Sequence, residues 1–308
     1  MQLWGDSFWE TYSPVVNMLS VRLILAIAKL QNIDSKAIDF VLAFPQADLE
    51  EDIWMYLPIG FQVNGHTEAS SERSFLQKLN KTLYVLNQGS YNWYEKLKKF
   101  LVERGFKLSN IDPCLYIGNG MIILTYVDDF IIVGTSIENI NRFVNSMKNR
   151  DKNSISTDKG DINKFPGIEI TQLDDNIFKI FQPYLTHRII FFLKTDTNDH
   201  NVETNANSTP VGKPLLHKNL SVKPRKETWN YCTAVGMMTD LQGNSRPEMS
   251  MPVYQTDRFC NNPMLSREKV IKRLGQYLSY TRKEGIVYNT NTSKGLEFYV
   301  DADFAGGW

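Results

Sequence analysis

Two apolar stretches, residues 121–127 and 130–133, are separated by nothing but Asp128 and Asp129. A connection this short closes only an antiparallel hairpin, since parallel neighbours need a crossover of a dozen or more residues. The two carboxylates therefore stand at a hairpin tip. A third acid, Asp39, interrupts the apolar run Ala37-Ile38-Asp39-Phe40-Val41. Ionised carboxylates are costly to bury unless paired or bound to metal, so three of them in or between apolar strands ask for a cation. Ligation by oxygen alone suits Mg2+, and a pair of such ions clamps the attacking and leaving oxygens of a phosphoryl transfer. The chemistry indicated is nucleotidyl transfer. A plainer reading stands beside it: adjacent aspartates are ordinary turn residues, and one Asp in a strand can simply face solvent.

Helix and strand signals continue on both sides of the hairpin. Residues 21–30 predict a helix with an apolar stripe at Leu23, Ala26, Ile27 and Leu30. Short strands are predicted over 53–57, ending at Pro58, and over 75–79. Trp93, Tyr94, Leu97, Phe100 and Leu101 recur at helical spacing until Gly105, which predicts a helix of about three turns. Thr135 or Ser136 can cap a helix striped by Ile137, Ile140, Phe143, Val144 and Met147, with Glu138 in its first turn. A strand pair is predicted over 167–170 and 177–181, then an apolar, helical stretch over 184–193.

Residues 195–209 are almost wholly polar and rich in Asn, and Pro210, Pro214 and Pro224 follow, so a linker and a boundary are expected within 195–228. Three helical patterns come next, the clearest over 266–280 with Val270, Ile271, Leu274, Tyr277 and Leu278 on one side. A last strand, 296–300, leads into Asp301, and no internal repeat is present.

Composition bounds the function class. With 308 residues, 42% of them hydrophobic, the chain is long enough for a real core and, by length, for two domains. Its 34 basic side chains balance 34 acidic ones, which excludes a histone-like protein; a polyanion must be held by locally clustered charge. Cys114, Cys232 and Cys260 form no Cys-x-x-Cys pair, which argues against a zinc module or a disulfide scaffold and fits a reducing compartment. No membrane association is expected: the apolar run 23–28 is closed by Arg22 and Lys29, far short of the roughly 18 residues a membrane helix needs. The start, Met1-Gln2-Leu3-Trp4-Gly5-Asp6, has neither the basic nor the apolar region of a secretory signal.

Tyr126-Val127-Asp128-Asp129 resembles the Tyr-x-Asp-Asp box of reverse transcriptases, at the hairpin tip that the box occupies in that family. Thr11-Tyr12-Ser13-Pro14-Val15-Val16, Ile38-Asp39-Phe40-Val41-Leu42-Ala43-Phe44, Leu83-Tyr84-Val85-Leu86-Asn87-Gln88 and Trp93-Tyr94 follow the family's order. The match is closest to the polymerase of copia-type LTR retrotransposons, which the chain resembles over nearly its whole length. The resemblance implies an RNA-directed DNA polymerase that adds dNTPs to a primer 3′-OH. It implies that Asp39 and Asp128 ligate two Mg2+ ions, with Mn2+ able to substitute. The Phe40 carbonyl would assist, and Asp129 would be the less essential neighbour.

The same resemblance gives substrate-binding expectations for Phe44, Gln88, Tyr126 and Arg22. Phe44, five residues after Asp39, stands where the family has an aromatic that abuts the sugar 2′ position and favours deoxynucleotides by bulk; a core Phe is the structural alternative. Gln88-Gly89 falls where the family positions template and incoming nucleotide, and is otherwise just a turn. Arg22 resembles a fingers arginine that reaches the triphosphate, and reads equally well as a solvated helix residue. Tyr299-Val300-Asp301-Ala302-Asp303-Phe304-Ala305 resembles the opening strand of an RNase H domain, with Asp301 its first metal ligand. The other acids of such a two-metal nuclease are absent, so no RNase H activity is expected.

Three basic clusters are candidates for gripping a template-primer duplex. The first joins Lys78, Lys81, Lys96, Lys98, Lys99, Arg104 and Lys107; the second Lys213, Lys218, Lys223, Arg225 and Lys226. The third joins Arg258, Arg267, Lys269, Lys272, Arg273, Arg282 and Lys283. Neutralising phosphates in this way gives salt-sensitive binding without sequence preference, though charged helix faces are often only solvated. The implied partners are an RNA/DNA template-primer duplex, dNTPs and other segments of a retrotransposon polyprotein.

Val85 stands where the family usually has Gly, Asn87 where it has Lys, and Pro166 where Leu precedes Gly167. Pro166 removes a backbone donor where a strand should begin, and Asp240 falls where a helix usually carries an apolar residue. The alternative function is accordingly an inactive, truncated relic that at most binds nucleic acid. Intact Asp39, Asp128 and Asp129 favour the polymerase, and the acid-bearing strands disfavour a non-enzymatic helical module. The expected fold is α+β, a reverse-transcriptase-like palm sheet with partial fingers and a helical thumb or connection region. Residues 1–195 would hold fingers, palm and the start of the thumb, 196–228 a linker, 229–290 the thumb or connection, and 291–308 the first strand of a truncated RNase H domain. Cellular location is open between a cytoplasmic particle and the nucleus.

Overall fold

The central strands of the first part of the molecule are buried on both faces, as their near-continuous apolar runs require. The computed structural model describes residues 2–57, 76–150, 156–160, 164–165, 167–174, 177–195, 209–210 and 223–289. Its packing divides into two units, Met1–Ile162 and Asn163–Trp308. The boundary expected within 195–228 is thus preceded by a division after Ile162. Most of the linker, together with the last strand at 296–300 and Asp301, lies outside the described residues.

The first unit opens with helix α1 (Met18–Leu30), whose Asn17 side chain accepts from the Leu19 N–H as an N-cap. The helix buries Val21, Ile24, Leu25 and Ala28, while Leu23 of the expected stripe is 54% exposed. Both sets have the spacing i, i+3, i+4, i+7 on a helix that is apolar most of the way round, so periodicity alone does not choose the face. Then come β1 (Asp34–Phe40), the short α2 (Ala43–Gln46), the paired strands β2 (Trp54–Tyr56) and β3 (Leu76–Lys78), and α3 (Gly89–Glu103). After them follow β4 (Lys107–Leu108), β5 (Leu115–Gly118), β6 (Met121–Tyr126), β7 (Asp129–Gly134), α4 (Ile137–Arg150) and β8 (Ser156–Gly160). Helix α3 spans 15 residues, a turn longer than expected, and ends before Gly105 in a left-handed conformation.

Six strands form one sheet in the order β4-β5-β6-β7-β1-β8, with antiparallel pairs throughout. Ile38 and Phe40 of β1, Ile123 of β6 and Phe130 and Ile132 of β7 join Trp93, Leu97 and Leu101 of α3 and Ile140, Val144 and Met147 of α4 in one core. One face of the sheet is therefore sealed by two helices. By alternation, Asp39 and Asp129 point to the other face.

The second unit has its own sheet, β9 (Lys164–Phe165), β10 (Ile168–Asp174) and β11 (Ile177–Phe181), completed by β12 (Ile286–Asn289) in the order β12-β11-β10-β9. Helices α5 (Pro183–Leu193), α6 (Tyr231–Asn244), α7 (Ser250–Asp257) and α8 (Leu265–Tyr280) enclose a second core of Ile190, Leu193, Met238, Leu241, Val253, Ile271, Leu274 and Leu278. Helix α8 keeps the expected apolar side, with Val270 only half-buried. Arg246, 1% exposed, is held by Glu248 at 2.6 Å and by the Thr281 carbonyl at 3.0 Å, so the buried charge is paired. Asp240 is exposed and accepts from Asn244 at 2.7 Å, so a carboxylate at that helix position carries no burial cost. Among the described residues, no helix is long and apolar enough to cross a membrane.

Candidate active site

Strand register brings the acids together. In the antiparallel pair β1–β7, Asp39 stands directly opposite Asp129, and in β6–β7 Asp129 stands opposite Tyr126. Residues directly opposite share a face with Cβ atoms about 4.5–5.5 Å apart, so two carboxylates and a phenol line one row across three strands. The expected two-residue connection is shifted by one position: Val127 and Asp128 form the turn, and Asp129 is the first residue of β7. Asp129 therefore belongs to the sheet and Asp128 to the tip.

The tip is strained and pinned. Val127 has φ 54°. The first central residue of a tight hairpin turn of the II′ kind takes a positive φ, a place usually given to Gly. For a β-branched residue this conformation costs about 1–2 kcal/mol, and such strain collects at functional sites. Two hydrogen bonds hold it. The Phe40 N–H donates to the Asp128 carbonyl at 2.8 Å, and the Trp93 indole N–H donates to the Val127 carbonyl at 2.6 Å. Phe40 itself is wedged between Trp93, rings edge-on at 5.2 Å, and Phe130 at 4.8 Å.

Beyond β1, Leu42 is left-handed with φ 54° and turns the chain into α2, which carries Phe44. Phe44 is half-buried against the core and stacks on Tyr84 with ring centroids 4.5 Å apart. The Tyr84 phenol is pushed above its ordinary value by partial burial first, then by the charge of Asp128 and, more weakly, that of Asp39. Hydrogen bonds from the Ala43 and Phe44 backbone oppose that shift. One phenol thus feels the charge of both carboxylates.

Gln88-Gly89 adjoins Phe44, since a Cβ at Gly89 would stand 3.3 Å from the Phe44 ring. Gln88, 2% exposed, precedes α3; its side-chain oxygen accepts from Gln2 at 2.8 Å and its amide donates to the Ser7 carbonyl at 3.0 Å. Arg22 is half-buried on α1 between buried Val21 and exposed Leu23. Val85 is 91% exposed, so the missing Gly there leaves no packing defect. Three contributors escaped the sequence reading: Trp93 as a donor, Val127 as a left-handed residue, and Tyr84 as the neighbour of both acids.

The donor chemistry at the row is all oxygen, which suits a hard divalent cation completed by water and phosphate. Among the described residues no three carboxylate, imidazole or thiol side chains already converge as a metal-holding group. What the fold supplies is backbone registry, with like charges directly opposite each other, an arrangement a cation relieves.

Five members of the basic clusters are paired with acids. Lys78 pairs with Asp52 and Lys81 with Asp48, each at 2.5 Å, and Lys98 pairs with Glu95 at 2.9 Å. Lys96 donates to the Gln46 carbonyl at 2.5 Å, while Lys99 and Lys107 are exposed. In the third cluster Arg267 is 3% exposed with its guanidinium 4.2 Å over Phe259, and Lys272 pairs with Glu227. Arg225 of the second pairs with Glu268 at 3.3 Å and lies over Trp229; Lys213 and Lys218 fall outside the described residues.

The antiparallel sheet thus packs one face on two helices and carries Asp39 and Asp129 on the other, at the end of a face whose Ala37, Leu124 and Ile131 are themselves buried. A family model described as Reverse transcriptase (RNA-dependent DNA polymerase) matches residues 1–207, and the chain belongs to that family. It is 30% identical to the Retrovirus-related Pol polyprotein from transposon TNT 1-94 of Nicotiana tabacum, over 98% of this chain and 22% of that protein. It is 28% identical to the corresponding polyprotein from transposon RE1 of Arabidopsis thaliana, over 98% of this chain and 20% of that one. The putative transposon Ty5-1 protein of Saccharomyces cerevisiae is 26% identical over 86% of this chain and 82% of its own length. The chain thus spans about a fifth of the plant polyproteins it matches. No solved structure matches it. Reverse transcriptases use divalent metals such as Mg2+.

Proposed function

We propose that this chain is the polymerase core of a copia-type retrotransposon Pol polyprotein, an RNA-directed DNA polymerase that joins dNTPs to a primer 3′-OH. The observation that carries the reading is the register that sets Asp39 opposite Asp129, with Asp128 at the adjoining tip. Residues 39 and 128 would hold the two Mg2+ ions, Asp129 would support them, and the Phe40 carbonyl would add a neutral oxygen. When bound, the ions supply Lewis acidity toward the 3′-oxygen and the leaving pyrophosphate. The chain's own part is to hold carboxylate oxygens at fixed spacing on a sheet and to keep the tip from relaxing. Phe44, held flat against Tyr84, would meet the sugar at its 2′ position and exclude a ribonucleotide by bulk.

The six-stranded sheet would serve as a palm, β2–β3 as part of the fingers, and the helices of the second unit as thumb or connection. The partners would be an RNA/DNA template-primer, dNTPs and the rest of the polyprotein. Primer extension on poly(rA) with oligo(dT) and Mg2+ tests the reading, with Asp128→Asn as its control. Extension by the wild type, reduced by about 10³-fold or more in the variant, is expected from loss of a metal ligand at the reacting atoms. Equal extension by both would overturn the assignment of Asp128. Salt-dependent binding with no extension by the wild type would support the inactive relic instead.

A further inference from the structure

We propose that Trp93 is a positioning residue of this active site, one that acts through the backbone of the hairpin tip; the inference rests on the polymerase reading above. Two observations carry it. Val127 occupies a left-handed conformation that its branched side chain disfavours, and the carbonyl of that same residue receives the Trp93 indole N–H at 2.6 Å. Trp93 is 4% exposed on α3, clamped edge-on against Phe40, so its donor is fixed by the core rather than by solvent. Phe40 in turn donates its N–H to the Asp128 carbonyl, on the other side of the same turn. The tip is gripped from two sides, and one grip comes from a side chain.

If the indole were lost, the turn would have reason to move Val127 toward an ordinary β-region φ. A two-residue turn cannot change one φ without rotating its neighbour, and that neighbour is Asp128. Trp93 therefore sets the direction of the Asp128 carboxylate without touching the ions or the substrate. The sequence permits a sharp check, because Gly takes positive φ at no steric cost. With Val127→Gly the tip needs no external grip, and the indole bond becomes dispensable.

The test is a two-by-two set: wild type, Trp93→Phe, Val127→Gly, and both changes together. Benzothienylalanine at position 93 serves as a further variant that keeps the bicyclic shape and removes only the donor. Two quantities are read, the kcat and KM for dNTP in primer extension and the Mn2+ affinity by electron paramagnetic resonance. Trp93→Phe is expected to lower kcat and Mn2+ affinity by about 10–100-fold, as loss of an outer-sphere partner does, with template-primer affinity unchanged. In the Val127→Gly background the same change should cost less than about threefold, a non-additivity that marks direct coupling. The benzothienyl variant should follow Trp93→Phe. Equal losses in both backgrounds, or full Mn2+ affinity in the benzothienyl variant, would overturn the proposal. A wild type that binds Mn2+ but extends no primer fails the polymerase reading alone, and the Mn2+ series then decides the role of Trp93. A wild type that binds no Mn2+ overturns both.

Discussion

Single residues carry the tension of this site. Asp39 and Asp129 face each other across two strands, and like charges directly opposite destabilise a sheet by about 0.2–1 kcal/mol. Asp129→Asn removes one of the two charges while keeping the shape, so without metal the variant should be more stable than wild type by that amount in urea unfolding. Saturating Mg2+ should narrow or reverse the difference, because ligand binding stabilises the form that holds it. A variant less stable than wild type without metal would show that the pair is not repulsive. The three acids were legible in the sequence because charges inside apolar strands stand out. The grip on the tip was not, since a backbone carbonyl as acceptor and a left-handed φ at Val127 leave no mark in residue patterning. Tyr84 was legible only as part of a box, not as the phenol that feels both Asp128 and Asp39.

Whole elements follow their turns. Strands β6 and β7 follow from two apolar runs, but the turn lies one residue earlier than the runs imply, because alternation fixes a strand's faces but not its last member. Strand β5 is joined to β6 by Asn119-Gly120, both with positive φ, a dipeptide that is the strongest short hairpin signal. Strand β8 gives no such signal, since residues 156–160 carry no apolar run. Gly118 shows how closely β5 is fitted. A Cβ there would stand 2.6 Å from the Gly105 carbonyl oxygen and 2.9 Å from the Phe106 Cα. Both are backbone atoms, so the strand itself must shift. Gly118→Ala should therefore cost about 1–3 kcal/mol in thermal unfolding, as overpacking does. A cost below about 0.5 kcal/mol would mean that β4 and β5 separate freely and that this edge adds little to the sheet.

At the scale of the molecule, the balance of 34 basic and 34 acidic residues is mirrored locally. Lys78, Lys81 and Lys98 each meet an acid, two of those acids lying outside the stretch that looked basic in sequence. Sequence windows find charge runs, but pairing across strands and loops is a tertiary fact. The division after Ile162 is hidden for a related reason: residues 183–193 look continuous with what precedes them, yet the core partners of α5 are helices α6 and α8, far along the chain. In the proposed polymerase the sheet of the first unit would bring Asp39 and the hairpin acids to a shared divalent ion. The measurement that tests this most directly is a Mn2+ titration of the full chain followed by paramagnetic resonance, comparing wild type with Asp39→Asn and Asp128→Asn. Saturable binding that each substitution weakens by about tenfold or more is the predicted result. Binding that neither substitution changes would show that Asp39 and Asp128 do not share an ion.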